Sequence, residues 1–183
     1  MMHLIIGGSA SGKSVYAEDL AVRAGRERFY IATMRPFGEE GMERVRKHRS
    51  MREGKGFVTV ECCRDLCQVQ TGSGAYKERV ILLECMSNLV ANELFEAGGK
   101  DEEICQRIWE GIRHLQKQAE NLMIVTNEIF SDGLGYDSET LRYIRLLAMV
   151  NQRLVQAADQ VTEVVYGIPV PVKAASTALR KFQ

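Results

Sequence analysis

Eight residues near the start of the chain, Gly7-Gly8-Ser9-Ala10-Ser11-Gly12-Lys13-Ser14, match the pattern G-x-x-x-x-G-K-[ST] in full. They follow an apolar run at 3–6 and precede a stretch of helical character at 13–24, the strand-to-helix setting the pattern requires. Glycines let the backbone wrap tightly enough for its N–H groups to converge on phosphate oxygens. The helix N-terminus adds partial positive charge. Lys13 is placed to reach the outer phosphates and the Ser14 hydroxyl to hold Mg²⁺. An ordinary Gly/Ser turn would need neither the lysine nor this context. The segment predicts a nucleoside triphosphate site, and with it a chain built on strands and helices in alternation.

The rest of the chain agrees. With 183 residues and no Pro/Gly linker, repeat or low-complexity segment, it reads as one domain, 1–183. Strand-like runs at 28–33, 57–61, 79–84, 122–126 and 160–166 alternate with helical stretches at 39–52, 102–121 and 138–158. Continuous apolar runs between helices predict an α/β fold whose mostly parallel sheet is covered by helices on both faces. The tail at 167–173 reads as an edge strand or a docking segment, and 136–140 as a substrate-side loop.

Lys plus Arg equals Asp plus Glu at 24 each, so a protein that coats nucleic acid is excluded for want of basic excess. No apolar run reaches the roughly 18 residues of a membrane span, and residues 1–6 carry no secretion signal, so the expected location is cytoplasmic. Five cysteines, Cys62, Cys63, Cys67, Cys85 and Cys105, then read as reduced thiols, because the paired C-x2-C spacings of a zinc site, with a second ligand pair downstream, are absent from the sequence.

Two further features point to chemistry. Glu84 ends the run 79–84, at the carboxyl end of a buried strand, where open α/β sheets place their ligands. It is a candidate for Mg²⁺ or nucleotide; the alternative is a helix cap or a solvated strand end. The stretch 44–52 holds five cations and no acid. On a helix Arg44, His48 and Arg52 share one face, and like charges crowded there call for an anion. Neighbouring cations disfavour the imidazolium, which leaves His48 a neutral nucleophile for phosphorus. A solvated basic face with a bystander histidine remains the competing reading. His3, at the start of the first strand, and His114, in a polar helix, are weaker candidates.

Taken in order, these segments resemble the bifunctional adenosylcobinamide kinase/adenosylcobinamide-phosphate guanylyltransferase family of cobalamin biosynthesis. The loop is followed by Tyr16-Ala17-Glu18, Tyr30-Ile31-Ala32-Thr33, Arg44-Val45-x-x-His48-x-x-x-Arg52 and Thr59-Val60-Glu61. Leu83-Glu84-Cys85 with Asn88-Leu89, Val125-Thr126-Asn127-Glu128 and Val150-Asn151-Gln152-Arg153-Leu154 complete the likeness over nearly the whole chain. The resemblance implies a P-loop NTPase, RecA-like fold and a homotrimer. It implies phosphorylation of adenosylcobinamide by ATP or GTP, then transfer of GMP from GTP to adenosylcobinamide phosphate with release of pyrophosphate. His48 takes the position of the family's covalent GMP carrier. The nucleotide contacts it implies are the phosphate loop, Ala32, Thr33, Met34, Arg49, Ser50, Met51, Arg52, Glu61 and Glu84, with Ser14 and Glu84 at Mg²⁺. Two departures stand out: Ala10 where many members carry Arg, and Glu84-Cys85 where many carry Asp-Cys. A kinase without transferase activity, or a nucleotide-dependent binding module, are the alternatives.

Overall fold

A computed structural model describes residues 1–36, 38–72, 76–129 and 135–174, apart from the side chains of 40, 44, 47, 48 and 51. Seven strands form one sheet: β1 (Met2–Gly7), β2 (Glu27–Ala32), β3 (Phe57–Glu61), β4 (Arg79–Glu84), β5 (Asn121–Asn127), β6 (Gln160–Val165) and β7 (Ile168–Lys173). Their order is β3-β2-β4-β5-β1-β6-β7. The first six are mutually parallel, and β7 returns antiparallel along β6. Among the described residues, five α-helices pack around them: α1 (Lys13–Ala24), α2 (Gly38–Arg52), α3 (Met86–Asn92), α4 (Asp101–Gln116) and α5 (Ser138–Ala157).

Alternation along the strands divides the interior in two. Leu4, Ile31, Ile81, Leu83, Leu122 and Ile124 pack toward residues of α3, α4 and α5, including Met86, Ile104, Ile112 and Leu147. Their neighbours Ile5, Tyr30, Leu82, Met123 and Val125 pack with Ala17 and Ala21 of α1. All six residues of β4 are buried, as expected of a central strand with both faces covered. The expected α/β architecture is thus present.

Several local expectations need correction. The fourth helix ends at Gln116 rather than at 121, because the chain must turn back to start β5 at Asn121, which pairs with Val80. The second strand stops at Ala32, since the Thr33 N–H bonds to the Glu84 carbonyl (3.0 Å) as the chain leaves the sheet. Residues 136–140 are less a loop than a helix start: the Asp137 side chain accepts from the Glu139 and Thr140 N–H groups and caps α5. Helix α3, with its continuation as a wide turn of helix at Glu93–Ala97, was not anticipated.

Candidate active site

The parallel strands all deliver their carboxyl ends to one rim of the sheet, and register lines the ends up. Ala32 pairs with both Glu61 and Glu84, Glu84 with Val125, and Gly7 with Asn127. The phosphate loop leaves β1 at this rim. A Cβ on Gly7 would lie 2.5 Å from Ser11 Oγ and 2.7 Å from the Val164 carbonyl oxygen, so only glycine allows the loop to fold back there. Gly12 enters α1 at φ 90°, a left-handed conformation natural to glycine. Its Cα hydrogen faces the β6–β7 turn closely, because a Cβ in its place would come within 3.2 Å of Gly167 Cα. That turn is fastened to the loop: the Gly167 N–H donates to the Ser11 carbonyl at 2.8 Å.

Lys13 is buried, its Nζ donating to the Gly8 carbonyl across the loop at 2.8 Å. Burial lowers its pKa, and the nearby Cys85 and Glu84 act to raise it again. The Ser14 hydroxyl donates to Glu84 Oε1. Glu84 is therefore neither a helix cap nor a solvated strand end: its side chain reaches from β4 across to the first turn of α1. A hydroxyl and a carboxylate in contact are hard oxygen donors of the kind Mg²⁺ takes in phosphate sites, so these residues fit the ion. The Ser11 hydroxyl is buried within the loop without a protein partner.

The other carboxylate oxygen of Glu84 accepts from the Tyr30 hydroxyl at 3.2 Å. Burial, with Glu84 second, pushes the Tyr30 pKa far above its ordinary value, so the phenol stays a donor. Over the Tyr30 ring, 3.5 Å from its centroid, lies the guanidinium of Arg52, the last residue of α2. Arg52 is 7% exposed and its Nη1 has no hydrogen-bond partner. Glu18 of α1, fully buried, pairs with Lys55 Nζ at 2.8 Å. Burial raises the Glu18 pKa, while Lys55 and Arg52 hold it down.

Comparison with known proteins fits this geometry. A family model described as "Cobinamide kinase / cobinamide phosphate guanyltransferase" matches residues 3–172. The chain belongs to this family. The "Bifunctional adenosylcobalamin biosynthesis protein CobU" of Salmonella typhimurium is 36% identical over 94% of the chain and 100% of its own length. The protein of the same name from Escherichia coli K12 is 34% identical over the same shares. "Bifunctional adenosylcobalamin biosynthesis protein CobP" of Pseudomonas aeruginosa is 26% identical over 94% of the chain and 98% of its length.

Within this family member, the expected nucleotide residues fall into three groups. The loop, Lys13, Ser14 and Glu84 converge, as described. Arg49 and Glu61 meet each other in an exposed ion pair of 2.8 Å at the edge of the sheet. Beside them an open groove of about 660 Å³ is lined by residues including Arg49, Ser50, Arg52, Glu53, Phe57 and Thr59. Thr33 stands apart: its hydroxyl exchanges bonds with the Cys85 N–H and carbonyl (both 2.8 Å), and its own carbonyl accepts from Asn92 (2.9 Å). Thr33 therefore pins β2 to β4, and its neighbours Ala32 and Met34 are half-buried at the strand end. Ala10 is exposed at φ 57°, on the loop's rim. His48 lies on α2 one turn before Arg52, while its side chain, like that of Met51, is outside the described residues.

Two of the remaining family segments meet in the frame. Thr126 Oγ1 donates to Asn151 Oδ1 at 2.8 Å in the core, so two segments separated in sequence meet as one buried contact. Arg153 stacks on Trp109 at 4.4 Å, joining α5 to α4. His3 Nε2 bonds to Thr162 Oγ1 and His114 Nε2 to the Val69 carbonyl, both at 2.8 Å, which gives these histidines structural work away from the loop. Tyr30, Arg52's stacking partner, is the contributor that sequence reasoning left without a role. Its only signal was membership of the Tyr-Ile-Ala-Thr segment. Among the described residues no cluster of three or more His, Cys, Asp or Glu side chains is arranged to hold a metal.

Proposed function

We propose that this protein phosphorylates adenosylcobinamide with ATP or GTP and then guanylylates the product from GTP. The observation that carries the reading is the convergence of Lys13, Ser14 and Glu84 at the carboxyl rim, with α2 ending on the same cluster through Arg52 and Tyr30. Family membership supplies the substrate class.

In the kinase step the aminopropanol hydroxyl oxygen attacks the γ-phosphorus, the bond to the β–γ bridging oxygen breaks, and the nucleoside diphosphate leaves. The hydroxyl proton passes to solvent. Lys13 and the loop N–H groups hold the outer phosphates, and positioning with charge stabilisation supplies most of the acceleration. Ser14 and Glu84 would hold Mg²⁺, which contributes charge neutralisation on the phosphates. In the transferase step His48 attacks the α-phosphorus of GTP, the α–β bridge breaks, and pyrophosphate departs from the loop. The corrinoid phosphate oxygen then attacks the guanylyl phosphorus, the P–N bond breaks, and His48 is regenerated. Arg49 and Arg52 follow His48 on α2 and would supply cations to stabilise charge developing at phosphorus. A homotrimer and a cytoplasmic location belong to the same proposal. The family resemblance supports the first; for the second, no described helix is long and apolar enough to cross a membrane.

The test uses α-labelled and γ-labelled GTP in parallel with Mg²⁺, and a His48→Asn variant. An acid-labile GMP adduct on the wild type, absent from the variant, is the expected result. Absence of α-label from the wild type, with cobinamide still phosphorylated from the γ-position, would leave a kinase alone and direct attention to Ala10.

A further inference from the structure

Among the described residues, the carboxylate of Glu84 on β4 is reached by side chains from two other elements. Ser14 of α1 donates to Oε1 and Tyr30 of β2 donates to Oε2 at 3.2 Å. A carboxylate free to rotate about its last bond presents its oxygens in many directions; one held at both oxygens presents them in one. Tyr30 is itself held. Arg52 covers one face of its ring at 3.5 Å, and Phe57 meets it edge-on at 6.3 Å between centroids. Arg52 is one helical turn beyond His48, about 6 Å along the axis of α2.

We propose that Tyr30 is a positioning residue: its hydroxyl sets the orientation of Glu84 for the metal-bound triphosphate, and its ring ties that orientation to the end of the helix that carries His48. The inference rests on the reading of Glu84 and Ser14 as the Mg²⁺-holding pair. Substituting Tyr30→Phe removes one oxygen atom and keeps the ring, so the Arg52 and Phe57 contacts and the strand packing persist.

The experiment is calorimetric. A GTP analogue with a methylene in the α–β bridge, which His48 cannot cleave, is titrated into wild type, Tyr30→Phe, Glu84→Gln and the double variant, in Mg²⁺ and in EDTA. In wild type, Mg²⁺ tightens binding. Tyr30→Phe is expected to lose about tenfold of that tightening, the scale of one hydrogen bond to a charged group. Its affinity in EDTA should stay within about twofold of wild type, and in the Glu84→Gln background the Tyr30 substitution should change nothing further.

Equal tightening in wild type and Tyr30→Phe would overturn the proposal, as would an equal fall in both media, which is what a packing role alone produces. No Mg²⁺-dependent tightening in wild type would overturn it too, by removing the pair on which it rests. Failure of the His48 relay reads out separately: no α-label on wild type, with the Mg²⁺ response and its Tyr30 dependence intact, sinks the covalent step and leaves Tyr30 in place.

Discussion

At the scale of single residues, burial decides what a titratable group can contribute. His3 sits between β1 and β6 against Thr162, and burial lowers its pKa from 6.5. A histidine kept neutral by the fold binds fewer protons folded than unfolded once the pH drops below 6.5. Its share of stability is therefore present above that value and is lost as pH falls through the lower folded value. Urea midpoints should fall for wild type between about pH 7.5 and about pH 5.5 by more than they fall for His3→Gln. Identical pH slopes in the two proteins would show that His3 titrates alike folded and unfolded. The phosphate loop could be read from sequence because its function needs a fixed run of neighbours, from Gly7 to Ser14. Glu84 was legible for a similar reason: a charge ending an apolar strand has few uses other than the ligand rim. Tyr30 and Thr33 were not legible as positioning groups. Their partners, Glu84 and Cys85, lie 54 and 52 residues away, and only the sheet register brings them together.

At the scale of elements, close approach matters more than propensity. Gly111 sits in the middle of α4, where alanine is worth about 1 kcal/mol in helix propensity. The missing Cβ is, however, where Leu66 packs: an added methyl would fall 2.6 Å from Leu66 Cβ. Overpacking of that kind costs about 1–3 kcal/mol. We expect Gly111→Ala to lower the thermal midpoint, and a raised midpoint would mean that the Leu66–Gln68 turn yields at little cost. The periodic helices α1, α4 and α5 were readable because an amphipathic pattern repeats over three turns or more. Helix α3 has seven residues, too few for a period to declare itself, and it owes its existence to the buried Met86, Leu89 and Val90. Strand β7 carries Pro169 and Pro171 at alternate positions on the sheet's outer edge. Proline lacks the N–H that a further strand would need, so the edge is blunted against continued pairing.

At the scale of the whole molecule, six parallel strands concentrate ligand chemistry on one rim, while the helices beneath supply rigidity and two separate cores. The single antiparallel strand breaks that pattern, and its turn comes back to the rim. Through the Gly167 N–H on the Ser11 carbonyl, the last hairpin of the fold touches the first loop of it. The amide of Gly167 is therefore expected to report on nucleotide binding at the loop. When polyphosphate fills the loop and stills it, that proton should exchange with deuterated solvent more slowly, a change of about tenfold for each 1.4 kcal/mol by which the ligand suppresses local opening. Hydrogen-exchange mass spectrometry on the peptide that spans Gly167, with and without GTP, reads it directly. Unaltered exchange would mean that the hairpin rides free of the loop it leans on.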